Sequence, residues 1–385
     1  MNILIINQHT LNFGDDIAGI SLLQNLLEFD DIQKINIIYN TKGKLLLDDD
    51  KISHNQDIML KNIGYCNLIK YFLLRKLGWK KIKNKPLNKM LDIINSSDYI
   101  FVSPCGANMG IYKDWRFLVK LLIVINEGKT PIFHLNTIGS SKSKIFDFFA
   151  KIVLRKSIIY VREKKSLEYI ESLGLNAKFG VDTAFSFKND NEFIDKKDKI
   201  VFVPTILKSW HPNFKNIEID DLVFNKILPI IAEFSNSKKL KIELIPHLKN
   251  EEEKEYYEII EKKLKELDVS VVTRNDIDTV YKYNNAIKES RIVIGMRYHS
   301  IVLAVKNLVP FISLSYENKM QEVSEYSNKL DFAFKLYEKN FDLDLLKNKL
   351  DECYNNNEKI SNELKDVLES KLIALSKLPL EQLKE

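Results

Sequence analysis

Short unbroken apolar runs recur along the chain, and between them apolar residues return every third or fourth position. Residues 2–7 (NILIIN) form the first run. A strand covered by helices on both faces reads this way, as one continuous apolar segment. A polar loop follows, and then Ile17, Ile20, Leu23 and Leu27 fall at helical spacing, which predicts a helix over 17–27. Asp15 or Asp16 would cap that helix, with Gly14 supplying an awkward turn before it. Runs at 34–39, 99–103, 130–135, 157–161 and 178–181 predict further strands, with helical patterns such as 115–126 and 164–173 between them.

Residues 187–199 (FKNDNEFIDKKDK) break the rhythm, being charged and poor in aliphatics, and are the candidate linker. The pattern then restarts. Strands are expected at 200–203, 241–245, 269–272, 291–295 and 309–314, and helices at 224–236, 251–267, 279–290 and from 299 to 305. Residues 341–380 look helical. Alternation of this kind implies parallel sheets with right-handed crossovers. The expected fold is α/β: two Rossmann-like parallel-sheet domains facing a cleft. The expected domains are 1–190 on the acceptor side, 191–340 on the donor side, and a helical segment 341–385.

Composition narrows the class without deciding it. A chain of 385 residues with 45% hydrophobic and 29% charged residues can bury a sizeable core, so disorder as a class is excluded. Lys and Arg exceed Asp and Glu by 58 to 53, too mild an excess to argue for nucleic acid. Three cysteines, Cys66, Cys105 and Cys353, give no disulfide framework and no thiolate metal site, and a reducing compartment is the simplest expectation. Neither a signal peptide nor an apolar run long enough to span a bilayer is expected. The expected location is the cytoplasm, with peripheral contact at the inner face of the cell membrane.

In parallel sheets ligands bind beyond the C-terminal ends of the strands, so the residues just past each strand carry the chemistry. After the first come Asn7, Gln8, His9 and Asn12 to Asp16, a polar loop entering a helix N-terminus, where an anion or oxygen-rich ligand is favoured. The spacing is not that of a dinucleotide fingerprint. After the strand at 99 come Cys105, Gly106, Asn108 and Gly110, a small-residue turn suited to close approach of a ligand. Cys105 has no base nearby in sequence and reads better as a buried thiol than as a nucleophile. Asn136 follows the next strand, His134 lies within it, and Arg162, with Glu163 to orient it, follows the strand at 157. The sharpest feature is Gly295-Met296-Arg297-Tyr298-His299-Ser300, followed past the next strand by Lys319. A fixed guanidinium clamps carboxylate or phosphate, and histidine suits proton transfer near neutral pH. Together they suit a small anion that must be protonated. The six histidines show no metal-ligand spacing, and neither metal nor cofactor is expected.

Laid out in this way, residues 1–320 resemble the polysaccharide pyruvyl transferase family. The likeness rests on Asn12-Phe13-Gly14-Asp15, on residues 160–166 (YVREKKS) with 181–185 (VDTAF), and most of all on residues 294–300 (IGMRYHS) through Pro310 to Lys319. The family's leucine between arginine and histidine is Tyr298 here. The resemblance implies a glycosyltransferase-B-like fold and transfer of a pyruvyl group from phosphoenolpyruvate to a sugar, commonly as a cyclic ketal, on a cell-surface glycan or a lipid-linked precursor. It implies that Arg297, His299 and Lys319 belong to the donor site, and the need for a proton on the methylene carbon makes His299 the candidate general acid. Asp15 is the candidate base. Arg162, Asn12, Gly106, Asn108 and Asn136 are candidate substrate-binding residues. A glycosyltransferase using a nucleotide sugar would have the same architecture and is the alternative, with a silent glycan-binding relative behind it. Finally, residues 75–89 carry seven cations and no acid beside Trp79 and Ile82, a composition suited to anionic lipid or to a solvated surface.

Overall fold

The computed structural model describes residues 1–10, 12–76, 83–189, 196–209, 211, 214, 219–248, 251–338 and 340–384. The core of the basic stretch, 77–82, and of the candidate linker, 190–195, lie outside the described residues. The chain divides into two compact units. One comprises Met1–Leu11, Asp15–Lys188 and Leu375–Glu385; the other comprises Asn12–Gly14 and Asn189–Ala374.

The first unit is built on strands β1 (Asn2–Gln8), β2 (Lys34–Tyr39), β3 (Ile52–Asn55), β4 (Tyr99–Val102), β5 (Pro131–Asn136), β6 (Ile158–Val161) and β7 (Lys178–Phe179). They lie in the order β3-β2-β1-β4-β5-β6-β7, and every pairing is parallel. Ile3 to Ile6 of β1 are wholly buried, which is why that strand carries no polar alternation. The second unit uses β8 (Lys199–Val203), β9 (Lys241–Leu244), β10 (Val271–Thr273), β11 (Ile292–Gly295), β12 (Phe311–Ser315) and β13 (Ala333–Lys335). Its order is β10-β9-β8-β11-β12-β13, again all parallel. In both sheets the order reverses beside the first strand, at β1/β4 and at β8/β11. Chains leaving these neighbouring strands turn to opposite faces, which opens a crevice at the C-terminal edge.

The helix expected at 17–27 begins earlier, at Phe13, and runs to Leu26. Asp15 and Asp16 therefore sit inside its first turn and do not cap it. Phe13 is drawn into the helix by packing: its ring is buried and stacks on Tyr283, centroids 5.0 Å apart, within the second unit. The strands β3 and β13, not expected from sequence, are short edge strands. The terminal helices divide, with Leu343–Asn355 and Asn357–Val367 in the second unit and the last turn, Leu378–Leu383, in the first. Among the described residues no helix is long and apolar enough to cross a membrane.

Candidate functional site

In the second unit the chain leaving β11 passes through Met296, whose backbone N–H bonds Val203 O of β8 at 2.9 Å, and then turns into the helix Tyr298–Lys306. Gly295 is required there by packing. A Cβ on it would stand 2.3 Å from Ser300 Oγ and 2.6 Å from Ile301 Cδ1. Ser300 Oγ in turn donates to Arg297 O at 2.5 Å and closes the turn. Arg297 occupies the N-cap position with extended backbone, and its side chain does not cap the helix. The guanidinium instead donates from Nη2 to Glu253 Oε1 at 2.6 Å, both side chains being buried. Glu253 also accepts from the backbone N–H of Leu248. One carboxylate thus fixes the plane of the arginine and the loop beyond β9.

His299 lies in the first turn of the same helix. Its ring lies nearly parallel to that of His247, centroids 6.4 Å apart at 14°. Tyr298 meets His299 edge-on at 5.0 Å. Gly14 approaches so closely that a Cβ there would fall 2.0 Å from His299 Nδ1. The role of this glycine is therefore contact with an imidazole; its backbone does not adopt the left-handed conformation. His247 follows β9, with Nδ1 3.2 Å from the Tyr283 hydroxyl. Burial, and then the charges of Arg297, His299 and Lys319, hold its pKa well below 6.5, so it is neutral at neutral pH.

Lys319, in the first turn after β12, bonds Glu317 Oε2 at 2.7 Å and stands over the Tyr298 ring at 5.7 Å. Glu317 is also 3.1 Å from His211 Nε2. Burial alone would raise the Glu317 carboxyl. The charge of Lys319, with its hydrogen bond and that of His211, outweighs burial and holds the group at about 2. Neither Arg297 nor Glu317, the N-cap residues of the helices after β11 and β12, caps its helix with its side chain. Backbone N–H groups and the positive ends of two helix dipoles therefore accompany the two cations. Arg297, His299 and Lys319 are brought together, and His247, Glu253, His211 and Glu317 join them.

In the first unit, the chain makes a left-handed turn at Asn7 (φ 69°) and at Leu135 (φ 58°), where the registers of β1 and β5 shift. A buried leucine in that conformation is strained, and here it re-aims the next residue. Asn136 Nδ2 donates to Ser103 O at 2.7 Å and reaches Cys105 Sγ at 3.2 Å. Burial first, with Asp15 adding to it, pushes the Cys105 thiol up to about 12 despite hydrogen bonds from Asn108 and Asn136, so it is not a nucleophile. Asn108 and Asn136 thus bond the Cys105 thiol, and the charges of Asp15 and Arg162 act on it from farther off. Gly106 itself is not sterically required, since the nearest atom to a Cβ there would be 3.5 Å away.

Arg162 is buried and bonds Asp182 Oδ2 at 2.5 Å and Thr137 Oγ1 at 3.3 Å. Glu163, expected to orient it, accepts from Ser166 Oγ instead. The extended backbone at the start of the helix Lys164–Ser172 turns Glu163 inward toward that helix, and Asp182 takes its place. Asn12 belongs to the second unit and bridges Leu248 in antiparallel fashion. His134 is fully buried against Phe101, with its pKa lowered by burial to about 3, and is a neutral core residue.

A second polar cluster joins Asn108 and His9 to Asn40, Asp114 and Lys120, which sequence reasoning passed over. Asn40 Nδ2 and Asn108 Nδ2 lie 3.1 and 3.2 Å from His9 Nε2. Two amide donors make that nitrogen an acceptor, which assigns the proton of the neutral ring to Nδ1. Burial lowers the His9 pKa, opposed by Asp15 and Asp114. Asp114 accepts from Asn40 at 2.6 Å and caps the helix Trp115–Asn126. Lys120 is buried behind it, donating to Tyr39 O at 2.9 Å, and burial brings its pKa down to about 7. Asn40 Oδ1 and Asn136 Oδ1 are buried acceptors with no hydrogen-bond partner among the described residues.

The model of the family described as polysaccharide pyruvyl transferase matches residues 12–318. The chain belongs to that family. The matched span includes Gly14, Glu253, Arg297, His299 and Glu317, and stops one residue short of Lys319. No curated protein matches this pyruvyl transferase family member in sequence. Solved structures share its fold over its whole length. A putative UDP-N-acetylglucosamine 2-epimerase from Listeria monocytogenes has a TM-score of 0.60 at 10% identity, covering 100% of this chain and 97% of its own. Anabaena HepE, in complex with UDP and glucose, has a TM-score of 0.59 at 13% identity, covering 100% and 99%. The UDP-GlcNAc 2-epimerase of Neisseria meningitidis has 0.56 at 10%, covering 100% of both chains. The pyruvyl transferase thus has the glycosyltransferase-B-like class of fold, a pair of parallel-sheet α/β domains.

Proposed function

We propose that this transferase takes a pyruvyl group from phosphoenolpyruvate and joins it, as a cyclic ketal, to two hydroxyls of a sugar in a cell-surface glycan or its lipid-linked precursor. The observation that carries the reading is the gathering of Arg297, Lys319 and His299 at the ends of β11 and β12, beside two helix N-termini. A donor bearing both a carboxylate and a phosphate suits two cations fixed in place beside two helix N-termini. Arg297 and Lys319 bind the two anionic groups. His299 protonates the methylene carbon, which makes C2 electrophilic. One acceptor hydroxyl adds to C2 and loses its proton to a base, for which Asp15 is our assignment. The C2–O bond to phosphate then breaks, inorganic phosphate leaves, and the second hydroxyl closes the ketal with loss of its proton. Phosphoenolpyruvate and a diol thereby give ketal and phosphate, with no change of oxidation state.

The first unit is assigned to the acceptor. Asn40, beside His9 and Asn108, and Asn136, beside Cys105, each present a buried carbonyl acceptor, which sugar hydroxyls would satisfy. Arg162 and Gly106 are assigned to substrate binding on the same reading, and Asn12 is assigned to substrate binding from the second unit. The protein acts in the cytoplasm, against the inner face of the membrane, where a lipid-linked acceptor is presented.

Calorimetric titration with phosphoenolpyruvate, beside a panel of nucleotide sugars, tests the donor. The expected result is selective binding of phosphoenolpyruvate, weakened at least about tenfold in Arg297→Ala, since charge-assisted contacts are worth roughly 1.5–3 kcal/mol. His299→Ala should keep most of that affinity and lose turnover. Selective binding of a nucleotide sugar would overturn the proposal in favour of a glycosyltransferase.

A further inference from the structure

The helix Lys144–Leu154 (KIFDFFAKIVL) is apolar on two sides. Phe146, Ala150, Val153 and Leu154 are buried in the core of the first unit. The opposite side carries Ile145, Phe148 and Phe149 at i, i+3 and i+4, and they are 67%, 63% and 36% exposed. Half-buried Ile152 continues the row at i+7. A helix that is hydrophobic all round is ordinarily enclosed; this one is open along one side.

The row extends onto the neighbouring helix and the loop before it. The ring of Trp115, 42% exposed, lies 6.2 Å from that of Phe149 and 5.1 Å from that of Phe146. Ile111 and Tyr112, both exposed, precede it. Around this surface stand Lys113, Arg116, Lys142, Lys144, Arg155 and Lys156, all exposed and none in an ion pair among the described residues. The acids within these segments are occupied elsewhere. Asp114 caps a helix and bonds Asn40, and Asp147 accepts from Ser140 and Ser141.

We propose that this aromatic face, Ile111 to Trp115 with Ile145 to Phe149, is the surface by which the protein rests on an anionic lipid bilayer. Apolar side chains enter the interface and the surrounding cations meet lipid phosphates. The helix lies in the plane of the membrane rather than across it. The inference deepens the proposed function and rests on its reading of a lipid-linked acceptor. Ile111 and Tyr112 form the tip of a loop whose two ends, Asn108 and Asp114, line the His9 cluster; Asp114 N–H bonds Asn108 O at 3.1 Å across its base. A sugar on a lipid carrier would meet that cluster as its lipid stayed in the bilayer.

The test is co-sedimentation of the full chain with vesicles of phosphatidylcholine alone and with phosphatidylglycerol added at about three parts in ten. The parent should sediment with the anionic vesicles. Ile145→Ser/Phe148→Ser should weaken binding about tenfold or more, as should Lys142→Glu/Lys144→Glu, because both apolar insertion and charge contribute. Phosphoenolpyruvate binding, measured on the same preparations, should be unchanged in every variant, which separates failure of this inference from failure of the donor assignment. Equal sedimentation of parent and Ile145→Ser/Phe148→Ser would overturn it. So would a parent dimer that this variant converts to monomer, since the face would then cover a second copy.

Discussion

Replacing Gly14 with alanine adds one methyl group against the imidazole that we assign as the acid. An ideal Cβ at Gly14 stands 2.0 Å from His299 Nδ1 and 2.7 Å from its Cε1, whereas ordinary contact begins at 3.4 Å. The ring must therefore retreat by about 1.4 Å, the difference of 3.4 and 2.0. The rings of His247 and Tyr298 pack on the same imidazole, so its displacement is constrained. Misplacing a catalytic group by about 1 Å costs on the order of 100-fold in rate, or roughly 2.7 kcal/mol. Stability should fall by at most about 2 kcal/mol. Alanine favours a helical position over glycine by about 1 kcal/mol, and overpacking costs about 1–3 kcal/mol. The assay is phosphate release from phosphoenolpyruvate in the presence of lipid-linked glycans, for Gly14→Ala, His299→Ala and the double variant. The three atoms nearest the methyl all belong to the imidazole, so Gly14→Ala should have a much smaller effect in the His299→Ala background. Histidine ring NMR supplies a readout without an acceptor, since there are six histidines and His299 should shift most. Equal factors in both backgrounds, or an unmoved His299 signal, would refute the reasoning.

Glu253→Ala should lower stability by about 3–5 kcal/mol in urea denaturation, because it takes a carboxylate partner away from a buried guanidinium. The double variant Glu253→Leu/Arg297→Met should recover much of that loss; a double variant as unstable as the single one would show that the pair is not the cause. Lys120→Met should stabilise the protein below pH 7 and lose that advantage toward pH 10. The folded lysine titrates at about 7 and the unfolded one near 10.5, so between these values the unfolded chain binds the extra proton and the parent gains stability as pH rises. The difference sets a ceiling of roughly 5 kcal/mol, reduced by the lost hydrogen bond to Tyr39 O. Melting temperature against pH for the pair checks it, and a constant offset across the range would contradict it.

The central strands of both sheets could be read from sequence because burial on two faces leaves nothing but aliphatics, as in β1 and β11. The edges could not. β3 is ISHN and β13 only three residues long, so neither carries enough apolar signal to separate it from loop. The start of the first helix was misread for another reason: Phe13 helps define it through a tertiary contact with Tyr283, which no local pattern records. The same division holds in the candidate site. Arg297, His299 and Lys319 follow apolar runs directly and could be found by looking past strand ends. Glu253 is the third of three consecutive glutamates on a charged helix, and nothing in the sequence distinguishes it from Glu251 or Glu252. His211 and the steric need at Gly14 are likewise contacts between segments distant in sequence. In the His9 cluster, His9 and Asn108 lie in loops whose composition suits a ligand, whereas Asn40 and Asp114 carry no such signal and join them only through the fold.

The electrostatic arrangement in the second unit leads to a last prediction. Arg297 is held by Glu253 and Lys319 by Glu317, so the two cations are fixed in place with their charge largely balanced. His247 is kept neutral by burial and by the same cations together with His299. A ligand carrying a carboxylate and a phosphate brings several negative charges into this balance, and it screens from His247 the positive charges that depress it. Its pKa should then rise by the part that those charges take away, while burial, the larger cause, goes on holding it below the ordinary value. Binding should accordingly take up protons near neutral pH. The uptake should grow as pH falls from about 8 toward 6, where an imidazole of raised pKa becomes charged. Calorimetry of phosphoenolpyruvate binding in buffers of different ionisation enthalpy reads the number directly. His247→Asn should remove part of the uptake while leaving Arg297 and Lys319 to bind the ligand. Binding with no proton exchange across that range would mean that the anion does not approach His247, and would move the donor away from the ends of β9 and β11.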